Sequence, residues 1–257
     1  MKATGSSLRI GLLFHGKKIW LSELLSIIFV SILLFTLFTI TFIILKNEVN
    51  ANKYNKEIAA LKAENITLHN DLEHLKEITL IAQTLCTFLR NRIPAPTIYK
   101  LSELIYTNSK QFGYDPLLLL AVIHVESYFK MDAYGRYRSG NLSGALGLMQ
   151  LKFKTAQEVA AQLEMEALTP DDLFNPEVNI VLGVAYLTQL VTRFKSFKLG
   201  LLAYNQGPAT IIANLSNRQQ LSLNYYRKVL KSYYDLKDLS EKESTKSNTS
   251  PLCQQQK

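Results

Sequence analysis

The sequence predicts an all-α protein: a helical domain preceded by a transmembrane helix and a long helical stalk. Three observations carry this. Residues 24–45 contain no charged residue, and roughly 20 apolar residues suffice to cross a bilayer as a helix. Residues 48–90 repeat apolar positions seven apart, the spacing of a helix with one continuous seam. From residue 98 to 236 the apolar residues keep helical periodicity, and no period-two run of β-branched residues interrupts it.

Residues 1–23 form a basic segment. Lys2, Arg9, Lys17 and Lys18 precede the apolar stretch, with no acidic residue before Glu23. Behind the stretch, Lys46, Lys53 and Lys56 are interspersed with Glu48 and Glu57. This bias predicts a cytoplasmic N-terminus, and Trp20 is placed where an aromatic ring anchors at the interface. The apolar stretch is longer than a usual signal core, and no small-x-small site or cysteine follows it closely. The expectation is therefore an uncleaved single-pass anchor through residues 24–45, inserted in its membrane with the N-terminus inside. A cleaved signal peptide is the alternative.

Residues 46–97 read as stalk and linker. Ile58, Asn65, Leu72 and Thr79 form one row, and Leu61, Leu68, Leu75 and Ala82 a second, offset by three. Asn65 falls at an a position, where a buried amide favours two strands. Two arrangements satisfy the rows: a homodimeric coiled coil through residues 48–90, or a single amphipathic helix packed on its own domain. Pro94 and Pro96 stop the helix, which leaves 91–97 as a linker.

The domain expected at 98–236 opens with Leu101, Leu104 and Ile105 on one face. Asp115-Pro116 then starts a second helix, with Asp as N-cap and Pro at the first helical position. The run from Leu117 to Val125 is apolar nearly throughout, which predicts a helix buried on most sides. Gly135, Gly140, Gly144 and Gly147 mark turns, and further helices are expected at 155–165, 176–194, 199–204 and 223–234. Ser, Lys, Glu, Thr and Gln dominate residues 237–257, the composition of a disordered tail.

Net charge is +8, which fits either a solvated basic surface or an acidic partner. No zinc-finger spacing, helix-turn-helix signature or phosphate-cradling glycine loop is present, so nucleic acid is not expected as a partner. Cys86 and Cys253 make no disulfide framework and are expected unpaired. His15, His69, His74 and His124 include no pair at ligand spacing inside the domain, so neither metal nor cofactor is expected.

The residue that points to chemistry is Glu126, at the end of the apolar helix. Desolvation there raises a carboxyl pKa, and an acid protonated near neutrality suits general acid catalysis. Taken alone, that residue fits a partly exposed Glu at a helix end better, since perturbed acids are rarer than solvated ones. The surrounding motifs decide. Glu126-Ser127, the run Ser143 to Gln150 with Gly144, Gly147 and Met149, then Ala203-Tyr204-Asn205 with Gly207, and Tyr225-Tyr226 with Val229 occur in that order. Asn175-Pro176, Asn179, Gly183 and Tyr186-Leu187 form a further segment of the same kind. Over roughly residues 112–236 the chain resembles the soluble-lytic-transglycosylase-like catalytic domains, a family with a lysozyme-like helical fold.

The resemblance implies cleavage of the bond between N-acetylmuramic acid and N-acetylglucosamine in peptidoglycan glycan strands. It implies Glu126 as the one catalytic acid/base, with Ser127, Met149, Gln150, Thr155, Tyr204, Asn205 and Tyr225 around the substrate. The expected product is a 1,6-anhydromuramyl end, made outside the cytoplasm by a periplasmic domain. Three departures from the family pattern concern substrate positioning. The loop between Ala133 and Gly144 is longer and carries Arg136, Tyr137 and Arg138. Lys152-Phe153 stands where Met-Pro is common, and Leu221 where many relatives have Glu. A lysozyme-type hydrolase and a non-catalytic wall-binding scaffold are the rival readings. The first lacks a second carboxylate in the motifs, and the second leaves Glu126 without a purpose.

Overall fold

The computed structural model describes residues 11–14, 17–90, 92–137 and 139–246. It divides into two compact units, Met1–Asn70 and Asp71–Lys257. Cys253 and Arg138 lie outside the described residues, as do residues 1–10 and 247–257 of the predicted basic segment and tail.

In the first unit, β1 (Gly11–Phe14) and β2 (Lys17–Trp20) pair antiparallel, with Gly11 opposite Trp20. The sequence reading had no strand there. Helix α1 (Leu21–Leu89) follows directly. It is the one helix among the described residues that is long and apolar enough to cross a membrane. Its apolar stretch is exposed almost throughout. Four of the hydroxyls in it are satisfied internally. Ser31, Thr36, Thr39 and Thr41 donate to the carbonyls of Ile27, Leu33, Thr36 and Phe38, each at 2.8 Å. A segment built this way presents no unpaired side-chain hydroxyl from these residues to a hydrocarbon surround.

In the second unit, the end of α1 joins the core. Ile78, Ile81, Ala82, Leu85 and Cys86 are buried, at the i, i+3, i+4, i+7, i+8 spacing of one helical face. Four of them, Ile81, Ala82, Leu85 and Cys86, pack in one cluster with Ile98, Leu101 and Ile105. The domain boundary expected before residue 98 is thus corrected: the helical core begins some twenty residues earlier. The prolines merely turn the chain between two helices that share a core, and α2 (Ala95–Phe112) already starts inside the expected linker. Cys86 is disulfide-bonded, which overturns the expectation of unpaired thiols.

Helix α3 (Pro116–Ser127) runs through the centre. Leu119, Leu120, Ala121 and Val122 are wholly inaccessible to solvent. Asp115 caps its start by accepting from Leu117 N at 2.8 Å. A second correction follows it. Three short strands, β3 (Tyr134–Arg136), β4 (Leu142–Leu146) and β5 (Leu151–Lys152), form an antiparallel sheet in the order β3-β4-β5. They occupy the glycine-rich stretch that read only as turns. Strands of two to five residues are too short to show a period of two.

Helix α4 (Phe153–Gln162), a 3-10 turn (Pro170–Phe174), α5 (Pro176–Phe194) and α6 (Phe197–Gln206) follow. α7 (Pro208–Ser216) was not foreseen; Pro208 sits at its start and Ile211 is buried. α8 (Asn224–Lys246) packs against α3. Its buried residues Tyr225, Val229, Ser232, Leu236 and Ser240 recur every three or four positions. That face runs past Leu236, so residues 237–246 are helical and not the disordered tail that composition suggested.

Candidate active site

A cleft of about 910 Å³ opens beside the C-terminal end of α3. Glu126, Ser127 and Tyr128 line it from α3 and its cap. The sheet contributes Tyr134, Gly135, Arg136, Ser143, Ala145 and Lys152. Thr155, Tyr186, Tyr204, Asn205 and Pro208 come from α4 to α7.

Glu126 is half-buried and its carboxylate Oε1 accepts from the Tyr225 hydroxyl at 2.5 Å. Burial pushes its pKa up from 4.5 to about 7, against the lowering effect of that hydrogen bond. The charged form is disfavoured because α3 brings the group out of an apolar core with little water around it. Tyr225 and Tyr204 are held well above the ordinary tyrosine value, first by burial and then by the charge of Glu126. Both therefore stay neutral hydroxyls near pH 7.

The backbone around the acid is unusual. Tyr128, Phe129 and Gln150 all have positive φ, at 54°, 62° and 51°. Each non-glycine residue in that region costs on the order of 1 kcal/mol, and such strain concentrates at functional sites. The turn from Leu146 to Met149 is held by Asn179. Its Oδ1 accepts from Met149 N at 2.7 Å, and its Nδ2 donates to Leu146 O at 3.0 Å and Leu173 O at 2.8 Å. Gly147 is required here: its φ is +74°, and a Cβ would sit 2.1 Å from Leu173 O.

The sequence-predicted residues divide into two groups. Glu126, Ser127, Gln150, Thr155, Tyr204 and Asn205 line the cleft. Met149 does not: it is fully buried in the core, and its carbonyl accepts from the Tyr204 hydroxyl at 2.7 Å. Its side chain is thus corrected from substrate contact to packing. Tyr225 likewise lies behind the wall, against the acid. The Gln150 amide nitrogen is committed to Gly147 O at 2.7 Å and Ala133 O at 3.2 Å, so this residue shapes the turn. Tyr128, Lys130, Tyr134 and Tyr137 were missed as cleft residues; all are exposed at its wall. Asn179 was noticed only as part of a motif. A polar residue on the otherwise apolar face of α5 was the signal that it is spent internally.

Residues 103–226 match the family model described as the transglycosylase SLT domain. Among curated proteins, the chain is similar to membrane-bound lytic murein transglycosylase E of Buchnera aphidicola, at 24% identity over 57% of this chain and 68% of that one. It is also similar to membrane-bound lytic murein transglycosylase C of Photorhabdus laumondii, at 30% identity over 51% of this chain and 38% of the relative. Solved structures similar to it include an inactive mutant of the lytic transglycosylase Slt from Pseudomonas aeruginosa, at TM-score 0.41 and 23% identity, covering 68% of this chain and 32% of that one. The 70 kDa soluble lytic transglycosylase of Escherichia coli is another, at TM-score 0.41 and 19% identity, over 65% of this chain and 30% of that one. The chain thus spans about a third of either solved relative.

Proposed function

We propose that the chain, whose residues 103–226 match the transglycosylase SLT domain model, is a member of that family and a membrane-anchored peptidoglycan lytic transglycosylase. The observation that carries the proposal is Glu126: a carboxyl held near pH 7, at the wall of a cleft, with a neutral hydroxyl donating to it. In its protonated form it donates to the glycosidic oxygen between N-acetylmuramic acid and N-acetylglucosamine, and that bond breaks. The substrate's own acetamido group supports the charge at the anomeric carbon. Glu126, now a carboxylate stabilised by the Tyr225 O–H, accepts the proton of the muramic 6-hydroxyl. That oxygen closes on the anomeric carbon to give the 1,6-anhydro end. The internal hydroxyl outcompetes water because it is already positioned. Asn205, exposed on the cleft wall, is the group proposed to bind the acetamido arm; Thr155 and Ser127 line the same cleft.

One observation favours hydrolysis as a second reading. Asp132 lines the same cleft, exposed to solvent, and an ordinary glycosidase uses two carboxyl groups. Mass spectrometry of the products from purified sacculi separates the two. Anhydro ends, one water lighter than reducing ends, are expected. Their release should drop at least ~100-fold in Glu126→Gln, which keeps shape and removes the titrating proton, and should persist in Asp132→Asn. Reducing muramic ends only, lost in Asp132→Asn, would make the protein a lysozyme.

The apolar part of α1 and the family together support membrane attachment. The finer topology proposed is a cytoplasmic N-terminus with residues after Lys46 outside the inner membrane. A reporter active only in the cytoplasm, fused at the C-terminus, should stay silent. A homodimer through the stalk is also proposed. Ile58, Leu61, Leu68, Leu72 and Leu75 remain 50% to 60% exposed along α1, as a seam awaiting a second copy would be. Sedimentation of the detergent-solubilised chain tests it: a clean monomer well above micromolar concentration rules the dimer out.

A further inference from the structure

The glycan backbone that the proposed function acts on is uncharged. Its charge resides in carboxylates carried by the muramyl arm: the free lactyl carboxylate where the arm is bare, and the peptide's carboxylates where a stem is attached. The cleft has a matching asymmetry. Three cations, Lys130, Arg136 and Lys152, line it against two acids, Asp132 and Glu126. Burial keeps Glu126 substantially protonated up to about pH 7. None of the three cations makes an ion pair among the described residues.

Two of these cations stand at the positions where the sequence departs from the family pattern. Arg136 comes from the lengthened loop, now the β3–β4 hairpin. Its Nη1 donates to Gly140 O at 2.9 Å within that hairpin. This bond props the guanidinium and leaves its remaining donors available, in a fork suited to carboxylates. Lys152 replaces an uncharged residue on β5 and sits directly across from Ala145. Opposed residues in an antiparallel pair share a face. A Cβ on Gly135 would meet Ser143 Oγ at 2.4 Å and Ala145 Cβ at 2.8 Å, so Gly135 opens on that same face. Gly135, Ser143, Ala145 and Lys152 all line the cleft, so this face of the sheet is its wall.

We propose that Arg136 and Lys152 are specificity-determining residues that read the carboxylates on the muramyl arm, so that the cleft selects anionic over neutral amino-sugar strands. This rests on the reading of the cleft as a peptidoglycan site.

The test measures binding by the full chain in detergent micelles, with Glu126→Gln as background so that nothing is cut. Three probes are used: a neutral N-acetylglucosamine oligomer, glycan strands stripped of peptide, and peptide-bearing strands. Adding Arg136→Gln and Lys152→Met should weaken binding of carboxylate-bearing strands roughly 10-fold, and of the neutral oligomer less than about 2-fold. Raising salt to about 0.5 M should shrink the difference, because exposed charges are screened. A loss confined to peptide-bearing strands assigns the contact to the stem; an equal loss on stripped strands assigns it to the lactyl arm. Equal losses on all three probes, or no loss on any, overturn the proposal. An unchanged thermal transition of the variant excludes misfolding as the cause, and single substitutions replace the pair if it shifts. Product analysis of the wild-type chain is independent of these affinities, so failure of the transglycosylase reading is seen separately.

Discussion

Residues 24–45 and helix α3 are the two most apolar helical stretches of the chain, and the structure treats them oppositely. Phe29, Phe35 and Phe38 are each 68% exposed, whereas Leu119, Leu120, Ala121 and Val122 have no exposure at all. Apolar composition states that a segment must leave water; it does not state what replaces the water. Length and polar detail make the choice. The first stretch is long enough to span a bilayer, and Ser31, Thr36, Thr39 and Thr41 donate to its own carbonyls. α3, at 12 residues, is too short to span one. It is covered by α1, α2, α5 and α8, and it ends in a carboxyl that opens on a cleft.

Truncation gives the largest separation between the two. Leu120→Ala removes fully packed atoms and leaves a cavity, and should cost about 2–5 kcal/mol of domain stability. Leu34→Ala should leave the domain's melting temperature unchanged, because Leu34 is 61% exposed and lies in the other unit. Calorimetry of both variants in detergent breaks the comparison if Leu34→Ala melts the domain as Leu120→Ala does.

The carboxyl at the end of α3 is the next test. With its pKa near 7 against an ordinary 4.5, Glu126 holds its proton longer in the folded chain than in the unfolded one. Its contribution to stability is full below about pH 4.5 and lost as pH rises through about 7. Activity that needs the proton should fall over that same upper limb. Tyr225 donates to the carboxylate and so favours the charged form. Tyr225→Phe should move the alkaline limb of kcat/KM to higher pH. A limb that stays in place would reduce Tyr225 to packing.

The smallest effect concerns the exposed seam of α1. In an isolated peptide of residues 47–90, Asn65→Leu should raise the melting temperature by removing a buried amide, while loosening the choice of two strands. An unchanged melting temperature and a monomer in both peptides would make the seam a solvated face.

Much of the site was legible because it depends on local order. Glu126 follows an apolar run, Asp115-Pro116 starts its helix, and the motifs around it recur at fixed spacing. Met149 was misplaced for a different reason. Its motif sits beside the acid, but the backbone at Gln150 turns through positive φ, and the side chain before it points into the core. The late part of α8 was missed because its solvent face is polar, so composition hid a buried row of small and apolar residues.

By itself the sequence determined the order of the parts: an apolar helix long enough for a membrane, a helix with a seven-residue seam, and a helical domain with one acid at the end of its central helix. These follow from periodicity, length and capping, which are properties of neighbouring residues. Only the tertiary structure decided where the domain begins, which motif residues face the cleft, and that three short strands carry its cationic wall. Each of these depends on groups distant in the chain. Asn179 reaches back to Leu146 and Met149, and Tyr225 meets Glu126 across 99 positions. The carboxyl's raised pKa has the same origin, since desolvation is a property of the surrounding volume and not of adjacent residues.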